Sequence, residues 1–453
     1  MGSITPSLQP STACQGEEYG DVVSQFPFLN GYTNLLFGFQ IAQSTPRPAI
    51  VPAIREALTN LTALIPWLGG QVVHVPGQDP GSSGILQVAP WPADEPQEIV
   101  RAQECDDQFP PMPQLLRAGV PIHLLDADIL TPWPSLPRPH GLSGPVPVVF
   151  FQTNFIRGGV IINLSAHHTL IDGTGIVGIA RHLAVMLNGG EIPPDELVQA
   201  NRDDHSHLRR RPGWTPALPA TPPVWCYFRL PLSALARLMA AATAGPSAQG
   251  LSENDVICAL FWQRVTVVRL ARGEFTPGTM TRFSRAIDGR NVVGVPFTYM
   301  GHLVYYALTR LTMGEAAGQA LGRVAQALRR ELAVANTAWA VRSYATFLAR
   351  ESDRSALLYG GEHNPNTDLG STPSIASIAD ARDGSTVPTS WGKLGSLQFI
   401  RRPRTTPLPG SLTIQPAERR AVPLLVCLPQ ADLEGLKKDV VWKQYTQRIR
   451  QPG

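Results

Sequence analysis

The chain has 453 residues, of which 43% are hydrophobic and 16% charged, with a formal net charge of +3. Single cores stop growing at about 250 to 300 residues, so a chain of this length is expected to divide into two globular domains, with no compositional sign of disorder. Lysine and arginine are scattered except at Arg209, Arg210 and Arg211; this excludes a nucleic-acid footprint, and the triplet reads as a solvated linker.

No internal repeat is present, which excludes solenoids and propellers. In chain order, Pro48 to Leu68 predicts a helix with apolar positions Ile50, Ile54, Leu58, Leu61 and Leu64, closed by Pro66, Gly69 and Gly70. Strands are expected at Gln71 to Val75 and Ile85 to Val88. The runs Val148 to Gln152 and Val160 to Ser165 predict a hairpin that turns at Arg157, Gly158 and Gly159. After Gly173 the period becomes helical, with Ile176, Ile179, Ala180, Leu183 and Leu187 on one side and Asn188, Gly189 and Gly190 as the stop.

Polar residues, arginines and prolines then cluster from Asn188 to Pro223, which marks a crossover between domains. Beyond it, Ser252, Glu253, Asn254 and Asp255 form a capping pattern before a helix whose buried side carries Val256, Leu260, Val265 and Val268. A helix over Gly314 to Glu331, a surface loop over Gly360 to Gly384, and strands at Leu412 to Gln415 and Pro423 to Leu428 complete the reading. Strands and helices in both halves predict an α/β (α+β) protein. The expected domains are 1–205 and 225–453, joined by a linker over 206–224.

Cys14, Cys105, Cys226, Cys258 and Cys427 are odd in number, widely spaced and without a CxxC pair, which argues against a disulfide framework or a zinc site. No apolar run approaches the roughly 18 residues of a membrane span. The N-terminus lacks the regions of a signal peptide, and Pro6 stands where a myristoylation motif at Gly2 wants Ser or Thr. A soluble, cytoplasmic, monomeric protein is expected, without nucleic-acid or membrane partners.

The run His167, His168, Thr169, Leu170, Ile171, Asp172, Gly173 places a histidine between an apolar strand and a helix, where fixed elements can aim it into a cleft. Imidazole titrates near neutral pH, so His168 can take a proton from an alcohol or amine and return one to a leaving thiolate. Asp172 follows across a turn closed by Gly173; its expected role is to hold that turn through backbone bonds or an arginine pair. Two readings stand beside catalysis: a buried polar cluster, and a metal site. The second is disfavoured, because adjacent histidines in a strand point to opposite faces.

HHTLIDG reproduces the HHxxxDG motif and resembles the chloramphenicol-acetyltransferase-like superfamily, which includes BAHD acyltransferases and peptide-synthetase condensation domains. Pro66, Trp67, Leu68, Gly69 and Gly70 look like the end of the first long BAHD helix, and Ser252 to Asp255 resemble the start of the second-domain helix. Asp288, Gly289 and Arg290, followed by Pro296, Tyr299 and Gly301, are similar to the D-x-R and P-x-x-Y-x-G segments. The resemblance implies that Arg290 is the salt-bridge partner of Asp172. Thr389, Ser390 and Trp391 resemble a T-S-W segment, which implies that Thr389 and Trp391 shape the site and that the indole N–H donates to the oxyanion. The DFGWG motif is degraded to Leu397, Gln398, Phe399, Ile400, Arg401, Arg402 and Pro403, a segment the family places away from the reacting atoms.

The ending, from Pro409 to Pro416 and from Leu433 to Trp442, looks more like the fungal secondary-metabolite acetyltransferases, such as the trichothecene O-acetyltransferases. The resemblance implies two domains, each a mixed sheet flanked by helices, with an active-site channel between them. It implies acetyl-CoA or another acyl-CoA as co-substrate, no permanent cofactor or metal, and a small hydroxylated acceptor of terpenoid, polyketide or alkaloid type. Ser252, at a helix start, is a place for a coenzyme A phosphate, although simple capping is the favoured reading. A condensation-like or N-acyl transferase, and a ligand-binding protein without catalysis, are the alternatives.

Overall fold

Two apolar runs, Val149–Ile156 and Gly159–His167, form the predicted hairpin, turning at Gly158, whose φ of 74° suits glycine. Their structure is a computed structural model that describes residues 22–41, 46–77, 81–94, 98–136, 142, 144–200, 219–244, 250–354, 357, 363–372, 377–378, 386–418 and 420–449. Cys14, the Arg209–Arg211 triplet, most of the expected linker and much of the loop over Gly360 to Gly384 lie outside those residues.

Tyr32–Gln40, which the pattern does not predict, pairs along the whole of the second hairpin strand, from Tyr32 opposite His167 to Gln40 opposite Gly159. All but its last residue are buried, so it lacks the polar alternation that marks a half-exposed strand. Val100–Glu104 adds in parallel at one edge of this five-stranded sheet, and Leu397–Arg401 adds antiparallel to Tyr32–Gln40 at the other. The second half of the chain thus lends a strand to the first sheet. Phe399 lies opposite Gly38, and a Cβ at Gly38 would fall 2.1 Å from its ring; the glycine makes the seat for the aromatic.

Helices Ile50–Leu64 and Gly173–Leu187 pack on this sheet and close its main core with Phe37, Phe39 and Trp391. The first is shorter than expected, because 3-10 turns at Arg47–Ala49 and Pro66–Gly69 take its two ends; a proline disfavours helical backbone in the residue before it. Ile50, Ile54, Leu58 and Leu61 are buried, but Leu64, expected beside them, is 41% exposed in the last helical turn. The strands Gln71–Val75 and Ile85–Ala89 stand as predicted in a small sheet with Val146–Pro147.

The second half builds a seven-stranded mixed sheet in the order Val304–Thr312, Met280–Asp288, Leu369–Thr372, Ser411–Ile414, Ala421–Pro429, Pro223–Pro231, Gln447–Arg448. Its central helix, Glu253–Ala271, is buried nearly all round and carries the predicted cap, with Asp255 completing the reciprocal box on Ser252. The polar residues that this position buries are paired: Asp255 with Arg285 at 2.7 Å, Arg269 with Asp432 at 2.8 Å. The helix expected over Gly314 to Glu331 is instead two, Met313–Gly318 and Leu321–Ala335. Thr312 caps the first with its own box to Glu315, and extended Gln319 and Ala320 separate them.

No helix among the described residues is long and apolar enough to cross a membrane.

Candidate active site

Strand Gly159–His167 ends where its partner begins, and the backbone N–H of His168 closes the edge by donating to Gly31 O at 2.8 Å. A tight turn follows, with Leu170 and Ile171 N–H groups both donating to His167 O. The turn brings Ile171 O to 2.9 Å from Nδ1 of His168. A carbonyl only accepts, so Nδ1 carries the proton and Nε2 keeps its lone pair. Burial lowers the His168 pKa, as does the Arg402 charge, and the Ile171 bond and Asp172 only partly offset them. The ring is therefore neutral near pH 7, with a basic nitrogen available in the cavity that it lines.

Asp172 caps helix Gly173–Leu187 and is fully buried. Its Oδ1 accepts from Gly175 N at 2.9 Å and Arg290 Nη2 at 2.9 Å; its Oδ2 accepts from Arg290 Nη1 at 2.8 Å and Leu303 N at 3.0 Å. The pairing expected with Arg290 is present and bidentate. Burial alone would raise the Asp172 pKa; the Arg290 charge and bonds outweigh it and hold the group below its ordinary value. Arg290, equally buried, also donates to Tyr299 O at 3.0 Å, Gly301 O at 2.6 Å and Asp288 Oδ1 at 2.9 Å. One guanidinium thereby fixes the end of strand Met280–Asp288, the loop through Gly301 and the turn that carries His168. Asp172 acts on that turn and on the Arg290 frame, with its oxygens turned to partners other than the imidazole.

Gly173 and Thr174 line the same cavity, and Thr174 Oγ1 donates to Asp288 Oδ2 at 2.7 Å. At Gly175 a Cβ would stand 2.1 Å from Met300 O, so the glycine lets the helix start approach the loop. His302, which the sequence reading missed, packs edge-on to His168 with ring centroids 5.3 Å apart; burial pushes its pKa down to about 3. Only its place directly after Gly301 could have marked it. His167 points to the other face, as strand alternation requires, and meets Tyr32 edge-on.

Thr389 and Trp391 are not brought to His168. The segment docks on the far end of helix Gly173–Leu187, where Asn188 Nδ2 donates to Ser390 O at 2.7 Å and Gly392 N donates to Asn188 Oδ1 at 3.1 Å. At 1.5 Å per residue, that end lies about 22 Å from the helix start. The indole N–H of Trp391 donates to Pro388 O at 2.9 Å, and its ring packs on Phe37 and Phe39. The oxyanion role expected for Trp391 is therefore corrected: it is a core residue. Ser252 serves as a cap, its hydroxyl donating to Asp255 Oδ2 at 2.8 Å, and does not line the His168 cavity.

The degraded motif is corrected in the opposite sense. Arg402 and Pro403, expected away from the reacting atoms, line the cavity with His168. That cavity is small, about 180 Å³, and shares Ser135, Trp225 and Thr405 with a larger cleft of about 950 Å³. Among the described residues, no group of three His, Cys, Asp or Glu could hold a metal.

Residues 32–185 match the model of the trichothecene 3-O-acetyltransferase-like N-terminal domain. The chain is 38% identical to the O-acetyltransferase SAT5 of Stachybotrys chartarum over 94% of each chain. It is 35% identical to the O-acyltransferase pigD of Monascus ruber over 95% of this chain and 98% of that one. The crystal structure of the Fusarium sporotrichioides trichothecene 3-O-acetyltransferase TRI101 with coenzyme A and T-2 superposes with a TM-score of 0.84, at 26% identity, over 96% of this chain and all of that one. Vinorine synthase, at 12% identity and a TM-score of 0.63, shares the fold. Fold, histidine motif and relatives together define an acyltransferase. The chain belongs to the family of fungal O-acetyltransferases that includes the trichothecene 3-O-acetyltransferases.

Proposed function

We propose that the protein transfers an acetyl group from acetyl-CoA to a hydroxyl of a small secondary metabolite, with His168 as general base. The observation that carries this reading is the Nδ1 bond to Ile171 O at 2.9 Å, which leaves Nε2 as the basic atom in the cavity. Nε2 takes the acceptor proton, the acceptor oxygen attacks the thioester carbon, and the tetrahedral intermediate collapses with loss of the thiolate, which receives the proton from His168. No permanent cofactor takes part in these steps. Positioned general-base catalysis is worth roughly 10²- to 10⁴-fold.

Asp172 and Arg290 act as positioning residues that set the turn and hence the Nδ1 bond. The related TRI101 crystal structures, in complex with coenzyme A and T-2 or with coenzyme A and deoxynivalenol, support an acyl-CoA donor and a small oxygenated acceptor. We take the chain as two domains, 1–205 and 225–453, acting as a cytoplasmic monomer with the channel between them. The helix start at Ser252 is the place we assign to a coenzyme A phosphate, since helix N-termini favour anions.

The test is thiol release from acetyl-CoA in the presence of hydroxylated terpenoids, polyketides or alkaloids, together with the mass gain of the acceptor. Wild type should release thiol stoichiometrically with acetylated product and His168→Ala should not. Equal transfer by the folded His168→Ala variant would refute the assignment, and binding without thiol release by the wild type would make the protein a ligand carrier.

A further inference from the structure

The cavity that holds His168 also holds a cation that takes no part in the proton transfers proposed above. Arg401 and Arg402 are adjacent at the end of strand Leu397–Arg401, and neighbouring side chains of a strand leave on opposite faces. Arg401 is buried and paired with Glu418. Arg402 turns into the cavity. Its Nε is buried and has no hydrogen-bond partner among the described residues, and the ionisable groups that act on it are Tyr227 and Tyr306, with no carboxylate among them.

The buried arginines Arg269, Arg285 and Arg290 each reach a carboxylate, whereas Arg402, half-buried, reaches none among the described residues. A guanidinium stays protonated in proteins, and leaving one of its N–H groups buried without an acceptor is costly. Ser411 lines the same cavity, and its hydroxyl is likewise buried with no partner among the described residues. Two unsatisfied donors in one cavity describe a place for an anionic acceptor group, and the planar fork of an arginine matches the two oxygens of a carboxylate.

We propose that Arg402, with Ser411, forms a carboxylate-binding subsite beside His168, so that the protein selects a substrate bearing an acid group as well as the group that reacts. This extends the acetyl-transfer reading and rests on it for the identity of the cavity. The acid can arrive on the acceptor, as a hydroxy acid, or on the donor, as a dicarboxylic acyl chain. In either case the carboxylate stays unreacted: the hydroxyl proton still passes to Nε2 of His168 and the thiolate still leaves.

Binding measurements test the subsite without needing turnover. Dissociation constants are measured for two matched pairs, 3-hydroxybenzoate against its methyl ester and malonyl-CoA against acetyl-CoA, on wild type, Arg402→Lys, Arg402→Gln and Ser411→Ala. Wild type should bind the charged member of one pair at least about tenfold more tightly, and which pair it is identifies the source of the acid. Arg402→Gln should erase the difference while thermal melting shows it folded, Arg402→Lys should keep most of it, and Ser411→Ala should lose about threefold. Absence of discrimination in both pairs, or discrimination that survives in Arg402→Gln, overturns the subsite. Discrimination without any thiol release would leave the subsite standing and remove only the transfer reading.

Discussion

At His168 the proposed chemistry turns on which ring nitrogen holds the proton. Ile171 O settles it at Nδ1, and burial keeps the ring neutral below the ordinary histidine value near 6.5. A base is active when unprotonated, so the acid limb of kcat/KM should fall at a pH below about 6.5. The Arg402 charge contributes to that lowering, so Arg402→Gln should move the limb toward higher pH. A limb that stays in place in this variant, measured with one neutral acceptor, would mean that the two groups do not interact. His167 and His302 are a different case. Burial, first of all, lowers each pKa to about 3. Unfolding frees both to bind protons near 6.5, so the stability is whole above that pH and falls as the pH drops toward 3. Each group can remove up to about 1.4 kcal/mol per pH unit across that window. Denaturant titrations at pH 7 and pH 5 should show the loss, and His167→Phe should reduce it if the edge packing on Tyr32 is kept.

At the scale of elements, the site is a joint between a helix start and the connection from strand Met280–Asp288 to strand Val304–Thr312. Asp172 serves as cap and as ion-pair partner together, and its four bonds come from helix Gly173–Leu187, from Arg290 and from Leu303. Removing one member of such a buried pair costs about 3 to 5 kcal/mol, because the other charge is left in a dry place. Arg290→Met and Asp172→Asn should therefore each lower the melting temperature strongly and transfer activity with it. The double variant should be less damaged than the sum, and additive losses would argue against the coupling. A second joint lies at Gly175, where the Met300 carbonyl is backbone and cannot swing away. Gly175→Ala should lower kcat and stability together, whereas Gly189→Ala, at an end with open space but a φ of 70°, should lower stability alone.

The motif was legible because it is contiguous: seven residues carry the strand end, the proposed base, the turn and the cap. Arg290 could be assigned only through resemblance, since 118 residues separate it from Asp172. Arg402 was out of reach, because its place depends on a strand that leaves one half of the chain to pair with the other. Helices were read where apolar spacing was regular, as at Ile176 to Leu183. Strands buried on both faces were read where they form apolar runs, as in Gly159–His167; Tyr32–Gln40, interrupted by Thr33, Asn34 and Gly38, offers neither such a run nor an alternation.

At the scale of the molecule, that lent strand decides whether the two halves can exist apart. Leu397–Arg401 pairs with Tyr32–Gln40 through Leu36, Phe37, Gly38 and Phe39. Trp391, just upstream, fills the core between Phe37 and Phe39. Burying a tryptophan removes on the order of 200 Å² from water, worth about 5 kcal/mol before ordering entropy is charged against it. A fragment ending at residue 205 would lose this ring, Phe399 and the Arg290 partner of Asp172, and would expose a long apolar strand edge, which invites aggregation. Residues 1–205 produced alone should be insoluble or molten by near-ultraviolet circular dichroism. Produced together with residues 225–453, they should assemble into a complex that recovers thiol release, because the missing strand and arginine come from the partner fragment. A soluble 1–205 fragment with a cooperative melt would mean that the first sheet is complete without its fifth strand, and that Trp391 and Phe399 decorate that core instead of closing it.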